Sequence, residues 1–170
     1  MYLVNSRPDI CFTVNTLSQF MVEPKRVHWA TRRHILRYVR DTVEYGLRYT
    51  RGDDVKLCGF TDADWVGNSI DRKSTFKYCF SVGSRMVSWC SRKQKSVVLS
   101  SAEEENMAAS TTTCKAICLR KLLVSLFRHR MEATSIYYDN QSCMKLSENP
   151  VFNDRSKHID IRCHFIRDCV

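Results

Sequence analysis

The sequence predicts an α/β protein with a mixed sheet flanked by helices, preceded by a small N-terminal helical segment. Three observations lead there. Residues 55–61, 76–82 and 85–90 read as three β-strands in a meander. Residues 101–127 carry apolar residues three and four apart over a length only a helix accommodates. Ile136 to Tyr138 then form a short apolar run ending at Asp139, ahead of a further helical pattern, as expected of a later strand in the same sheet.

In chain order, Pro8 is tolerated in the first turn of a helix over residues 8–21, with Val14, Leu17, Phe20 and Met21 as its apolar side. Pro24 opens a second helix from Lys25 to Glu44. It places Trp29, Leu36 and Val39 near one face, five arginines around the rest, and Gly46 as its stop. That helix could follow a phosphate backbone or form the wet side of a helical hairpin. The turn-like R-G-D-D at 51–54 marks the domain edge, separating a helical segment at 1–50 from an α/β domain at 51–170.

The first strand, V-K-L-C-G-F-T-D-A-D-W, is interrupted in its alternation by Gly59 and ends in Asp62 and Asp64. Two residues apart on a strand, both carboxylates share a face. Their mutual repulsion calls for a cation, a helix N-terminus or solvent. A strand running out into an acidic turn explains a lone D-x-D as well. Val82-Gly83-Ser84 joins the next two strands, and Arg92, Lys93 and Lys95 follow them. Trp89 between β-prone residues is assigned to the core rather than to stacking on a base.

Ser100 or Ser101 can cap the long helix, with Glu104 completing a capping box from Ser101. Glu105, Ala108, Ala109, Thr112, Ala116, Leu119, Leu123 and Leu126 form its inward stripe, so Glu105 is the acidic residue on the apolar face. Glu103 is the alternative, since helix ends shift by a residue or two around a cap. Asp62, Asp139 and one helix carboxylate can converge at strand ends within the span of a two-cation site.

The chain has 170 residues, 44% hydrophobic and 26% charged, enough for one substantial core. Its net charge of +9 favours a polyanionic partner, although a solubilising surface gives the same total. The charge is spread: eight basic and four acidic residues up to position 50 leave +4, and 19 basic and 14 acidic residues beyond it leave +5. Of nine cysteines, Cys58, Cys79, Cys90, Cys118 and Cys163 sit in or beside apolar runs as small buried hydrophobes. Cys114 and Cys118 lack the second pair a zinc site needs. The odd count, no recognisable signal peptide and no long apolar span predict an intracellular protein, cytoplasmic or nuclear, with no membrane partner.

The runs T-D-A-D-W-V-G, D-R-K-S-T at 71–75, S-W-C-S-R-K-Q-K at 88–95, L-S-S-A-E-E-E at 99–105, Y-D-N-Q-S at 138–142 and K-H-I-D-I-R-C-H-F-I-R at 157–167 resemble the ribonuclease H region of copia-type (Ty1/copia) LTR retrotransposon Pol polyproteins. Residues 1–10 and 34–49 resemble the reverse-transcriptase tail before it, and no Y-x-D-D polymerase signature occurs. The resemblance implies a ribonuclease H-like fold whose catalytic and metal-binding residues are Asp62, Glu105 and Asp139, with Asp64 a further motif position. It implies two Mg²⁺ or Mn²⁺ ions, cleavage of the RNA strand of an RNA–DNA hybrid, and association with the rest of a Pol polyprotein. Arg92, Lys93 and Lys95, with Asn140 and Gln141, are the expected contacts to the nucleic-acid backbone.

In the family a further strand and a helix with a fourth carboxylate follow, whereas this chain stops at Val170. The expectation is a domain incomplete at its C-terminus and a nuclease weakened or inactivated by that loss. The alternative is a non-catalytic co-opted fragment acting as a nucleic-acid or protein interaction module, although no R-x-L-R string supports a secreted effector. His158, Asp160, Cys163 and His164 belong to a terminal amphipathic helix with Ile159, Cys163 and Ile166 inward.

Overall fold

A computed structural model describes residues 2–49, 56–64, 74–94, 101–128, 131–138, 165–166 and 168–169. The chain divides into two compact units, Met1–Arg51 and Gly52–Val170.

The first unit comprises α1 (Tyr2–Ser6), a 3₁₀ turn at Pro8–Ile10, α2 (Cys11–Ser18) and α3 (Arg26–Asp41). Pro8 occupies the first turn as expected, but α2 stops at Ser18 and Met21 is exposed. The start of α3 is set by the Lys25 backbone N–H donating to His28 Nδ1 at 3.1 Å, while the His28 ring stacks on Phe20 at 4.0 Å. The half-buried residues of α3 are His28, Thr31, Ile35 and Val39, so Val39 lies inward as expected while Trp29 and Leu36 give way to their preceding neighbours His28 and Ile35. Trp29 and Leu36 are 57% and 56% exposed, and Arg32 lies 4.9 Å over the Trp29 ring.

Arg7, buried although charged, ties this unit together. Its guanidinium donates to both carboxylate oxygens of Asp9, at 3.0 and 2.7 Å. It also donates to the carbonyl and hydroxyl oxygens of Thr42 at 2.9 and 2.7 Å. Tyr38 donates its hydroxyl to Asp9 at 2.9 Å, and the Tyr38 and Tyr45 rings flank the guanidinium. Hydrogen bonding from Arg7 lowers the Asp9 carboxyl to about 2. Thr42 also donates to the Tyr38 carbonyl, and α3 ends at this residue, four positions before Gly46.

The second unit is a four-stranded mixed sheet with a helix on it. Strands β1 (Leu57–Asp64), β2 (Thr75–Val82), β3 (Arg85–Lys93) and β4 (Ser135–Tyr138) lie in the order β3-β2-β1-β4. The two meander pairings are antiparallel, and β1 pairs with β4 in parallel. Gly83 makes the β2–β3 turn with φ 59°, a left-handed conformation that suits glycine. The helix α4 spans Ser101–Phe127, the bounds expected from its periodicity.

Ala108, Ala109, Thr112 and Ala116 are buried, Leu119 and Leu123 half-buried. Leu126, read as the end of the stripe, is 66% exposed. Phe80, wholly buried, forms the core with Leu57, Ala116 and Met131, and Leu119, Leu123 and Ile136 pack against it. Small residues on α4 let the helix approach the sheet closely enough for this contact.

The described cysteines, Cys11, Cys58, Cys79, Cys90, Cys114, Cys118 and Cys169, are free thiols. Cys58, Cys79 and Cys90 are half-buried, and burial raises the Cys79 thiol above its ordinary range. Cys118, expected inside, is exposed. Ile166 is buried against Ala109, as expected for the terminal segment, while Ile159 and Cys163 lie outside the described residues. Among the described residues no helix is long and apolar enough to cross a membrane.

Candidate functional site

The direction of α4 fixes which chemistry the fold can assemble. Ala116 packs with Leu57 at the start of β1, whereas Thr112 Oγ1 lies 3.1 Å from Thr61 Oγ1 four residues further along the strand. Thr112 also donates to the Ala108 carbonyl at 2.8 Å, and Thr61 donates to the Lys77 carbonyl at 3.1 Å. The helix thus runs antiparallel to β1, and its N-terminal turns lie toward the C-terminal end of that strand. Glu105 is seven positions before Thr112 in α4, two turns nearer the start of the helix.

Strand register brings in β4. Thr61, the residue before Asp62, lies beside Tyr138, the residue before Asp139. Tyr138 packs with Ala109 of α4, Ile166 and Phe165, so β1, β4 and the N-terminal half of α4 meet at one edge of the sheet. Asp139, Asn140, Gln141 and Lys95 lie outside the described residues.

Leu57, Gly59 and Thr61 are buried on the α4 side of β1, which puts Phe60 and Asp62 on the opposite face. Asp64 ends the same strand two residues on. Phe60 and Tyr137 stack on the Asp62 face with ring centroids 5.1 Å apart, both substantially exposed. The Asp62 side chain is 47% exposed and accepts from Lys77 Nζ at 3.3 Å, across the β1–β2 pair. Sequence alone does not single out Lys77, because recognising it requires the hairpin register that sets it opposite a residue fifteen positions earlier.

The basic residues ending β3 reach the same edge. Lys93 pairs with Thr75, which pairs with Asp64, and Arg92 pairs with Phe76, which pairs with Ala63. Lys93 and Asp64 are thus two strands apart in one row, about 10 Å by ordinary strand spacing. Trp89, assigned to the core from sequence, is half-buried on the Phe60 face of the sheet.

Asp62 offers hard oxygen donors at a solvent-open strand end, the donor chemistry that Mg²⁺ and Mn²⁺ select. Among the described residues no group of three or more His, Cys, Asp or Glu side chains is placed to hold a metal ion.

A mixed sheet ordered β3-β2-β1-β4, with a long helix on one face and acidic residues at the end of β1, is a ribonuclease H-like α/β architecture. Comparison with known proteins gives the family. The chain is 38% identical over 169 residues to the retrovirus-related Pol polyprotein from transposon RE2 of Arabidopsis thaliana, covering 99% of this chain and 12% of that protein. It is 40% identical over 168 residues to the Pol polyprotein from transposon TNT 1-94 of Nicotiana tabacum, again covering 99% and 12%. It is 46% identical over 120 residues to secreted RxLR effector protein 161 of Plasmopara viticola, covering 70% of this chain and 84% of that one. The chain belongs to the copia-type retrotransposon Pol polyprotein family, and it spans about one eighth of the Pol relatives it matches. No family model matches it, and neither does any solved structure.

Proposed function

We propose that this stretch of Pol hydrolyses phosphodiesters in the RNA strand of RNA–DNA hybrids, with Asp62, Glu105 and Asp139 as its carboxylates. The observation that supports the reading best is the parallel register setting Thr61 beside Tyr138, with α4 antiparallel to β1 and packed against both. It brings the C-terminal end of β1, the end of β4 and the N-terminal half of α4 to one sheet edge, with Asp62 leaving β1 on the face away from α4. Two bound Mg²⁺ or Mn²⁺ ions would supply an activated water and charge neutralisation at the departing 3′-oxygen. Asp62 would be a ligand from β1, Glu105 from the first turns of α4 and Asp139 from the segment after β4. Arg92, Lys93 and Lys95, with Asn140 and Gln141, would hold the sugar-phosphate backbone, and the 2′-hydroxyl would mark the strand to be cut. In this reading the protein works in an intracellular setting, alongside the remainder of Pol.

Divalent-ion-dependent cleavage of a hybrid labelled in its RNA strand tests the reading directly. Cleavage should be slow, and Asp62→Asn should lower it on the order of 100-fold, the scale for losing one charge-stabilising group. Equal rates in the two proteins would overturn the catalytic assignment. A second reading has its own support in the 84% coverage of a short relative named as a secreted effector. Under it the chain is an interaction module, and it binds hybrid or a protein partner with no cleavage at any divalent-ion concentration.

A further inference from the structure

The carboxylate assigned to the cation already has one. Asp62 and Lys77 are direct partners across β1 and β2, so both side chains leave the sheet on the face away from α4, and Lys77 Nζ lies 3.3 Å from Asp62 Oδ2. The pairing is fixed by backbone register rather than by a chance meeting of long side chains. Thr61, immediately before Asp62, anchors it by donating to the carbonyl of Lys77 itself. With its side chain 33% exposed, Lys77 is less able to swing away than a typical surface lysine.

We propose that Lys77 is a built-in competitor for the divalent cation at Asp62, a positioning residue that lowers metal affinity by holding the carboxylate in its ion-free state. The proposal rests on the reading that Asp62 is a cation ligand. An ammonium group and a divalent ion cannot share this short side chain at full strength. The ion must break the Lys77 contact and then tolerate a positive charge a few ångströms away. Both effects weaken binding in the same direction. Because the pair is partly solvated, the penalty is moderate: removing the charge should tighten binding about three- to tenfold. Once displaced, the Lys77 ammonium stands on the same face of the sheet as Lys93 at the end of β3, so ion binding would add to the positive charge facing a phosphate backbone.

Mn²⁺ binding, followed by the loss of the free-ion signal in electron paramagnetic resonance, tests this without any turnover. Lys77→Thr, neutral and β-favouring, should bind Mn²⁺ about three- to tenfold more tightly than the parent chain. Lys77→Arg should bind like the parent, and the gain should vanish in Lys77→Thr with Asp62→Asn. Circular dichroism confirms folding, and Lys77→Gln replaces the threonine variant if that protein does not fold. If Asp62→Asn weakens Mn²⁺ binding while Lys77→Thr and Lys77→Gln match the parent, Asp62 is a ligand and the competitor role of Lys77 is refuted. If parent, Lys77→Thr and Asp62→Asn all bind alike, the cation reading of Asp62 fails and the competitor falls with it.

Discussion

Substituting Gly59 by alanine probes the tightest contact in the core. Gly59 is the cross-strand partner of Phe80, and a Cβ built on it would lie 2.6 Å from Cε1, 3.0 Å from Cδ1 and 3.2 Å from Cζ of that ring. The ring cannot swing clear, because Phe80 is wholly buried among Leu57, Ala116 and Met131 with Tyr78 edge-on at 5.7 Å. Forcing one extra carbon into a packed core costs about 1–3 kcal/mol. Alanine returns roughly 0.5–1 kcal/mol by narrowing the unfolded ensemble. With the ring held in place the cost falls in the upper part of that range, about 2–3 kcal/mol, and a net loss of about 1–2 kcal/mol follows, roughly 3–8 °C in Tm for a unit of this size. Urea unfolding should show a lower midpoint at unchanged slope. Trimming the ring with Phe80→Leu costs stability by itself but makes room, so Gly59→Ala should then cost about 1 kcal/mol less than it does in the parent. Parent-like stability of Gly59→Ala, or an equal penalty in the Phe80→Leu background, would refute the argument.

Two further outcomes follow from the charged residues. Asp9 is held at about 2 against an ordinary 3.8, so its contribution is complete above about pH 4 and is lost as pH falls toward 2; with its side chain 33% exposed, that contribution is held to about 1 kcal/mol. Acid unfolding of the first unit, followed by circular dichroism, should lose much of its pH dependence between 4 and 2 in Asp9→Asn, and an unchanged profile would remove Asp9 from the account. Arg92→Ala with Lys93→Ala should weaken hybrid binding and reduce the slope of log affinity against log salt by about 1–2, and an unaltered slope would place the phosphate contacts elsewhere.

The parts of this fold written in local pattern were readable from sequence. Alanine and leucine at three- and four-residue spacings gave α4 both ends, and β-prone runs on either side of Gly83 gave the hairpin. The break in alternation at Gly59 was visible too, but its cause, the ring of Phe80 twenty-one residues away, was not. The errors arise where distant partners decide. The stop of α3 at Thr42 depends on Arg7 and Tyr38, and the face of its first turns depends on Phe20 stacking on His28, so Val39 pointed the right way while Trp29 and Leu36 pointed one position off. The candidate site divides in the same way: an acidic end to β1 at Asp62 follows from the residues themselves, and the ammonium opposite Asp62 follows only from register.

That register separates two demands on β1. Leu57, Gly59 and Thr61 face α4 and are buried, whereas Phe60 and Asp62 occupy the other face with Lys77 and Tyr137. A strand held by packing on one side can carry a charged group on the other, because Phe80 and its neighbours are buried on the α4 face while Asp62 and Lys77 pair on the opposite one. The Thr61–Thr112 contact links the faces, since Thr61 sits between the core and the carboxylate and its hydroxyl holds the backbone of the lysine that pairs with Asp62. Thr112 of α4 and the Lys77 carbonyl of β2 thus both lie against the Thr61 hydroxyl. On the proposed cation reading of Asp62, Thr112→Val should shift Mn²⁺ affinity without touching a charged residue, and an affinity equal to the parent's would refute this route from core packing to the sheet edge.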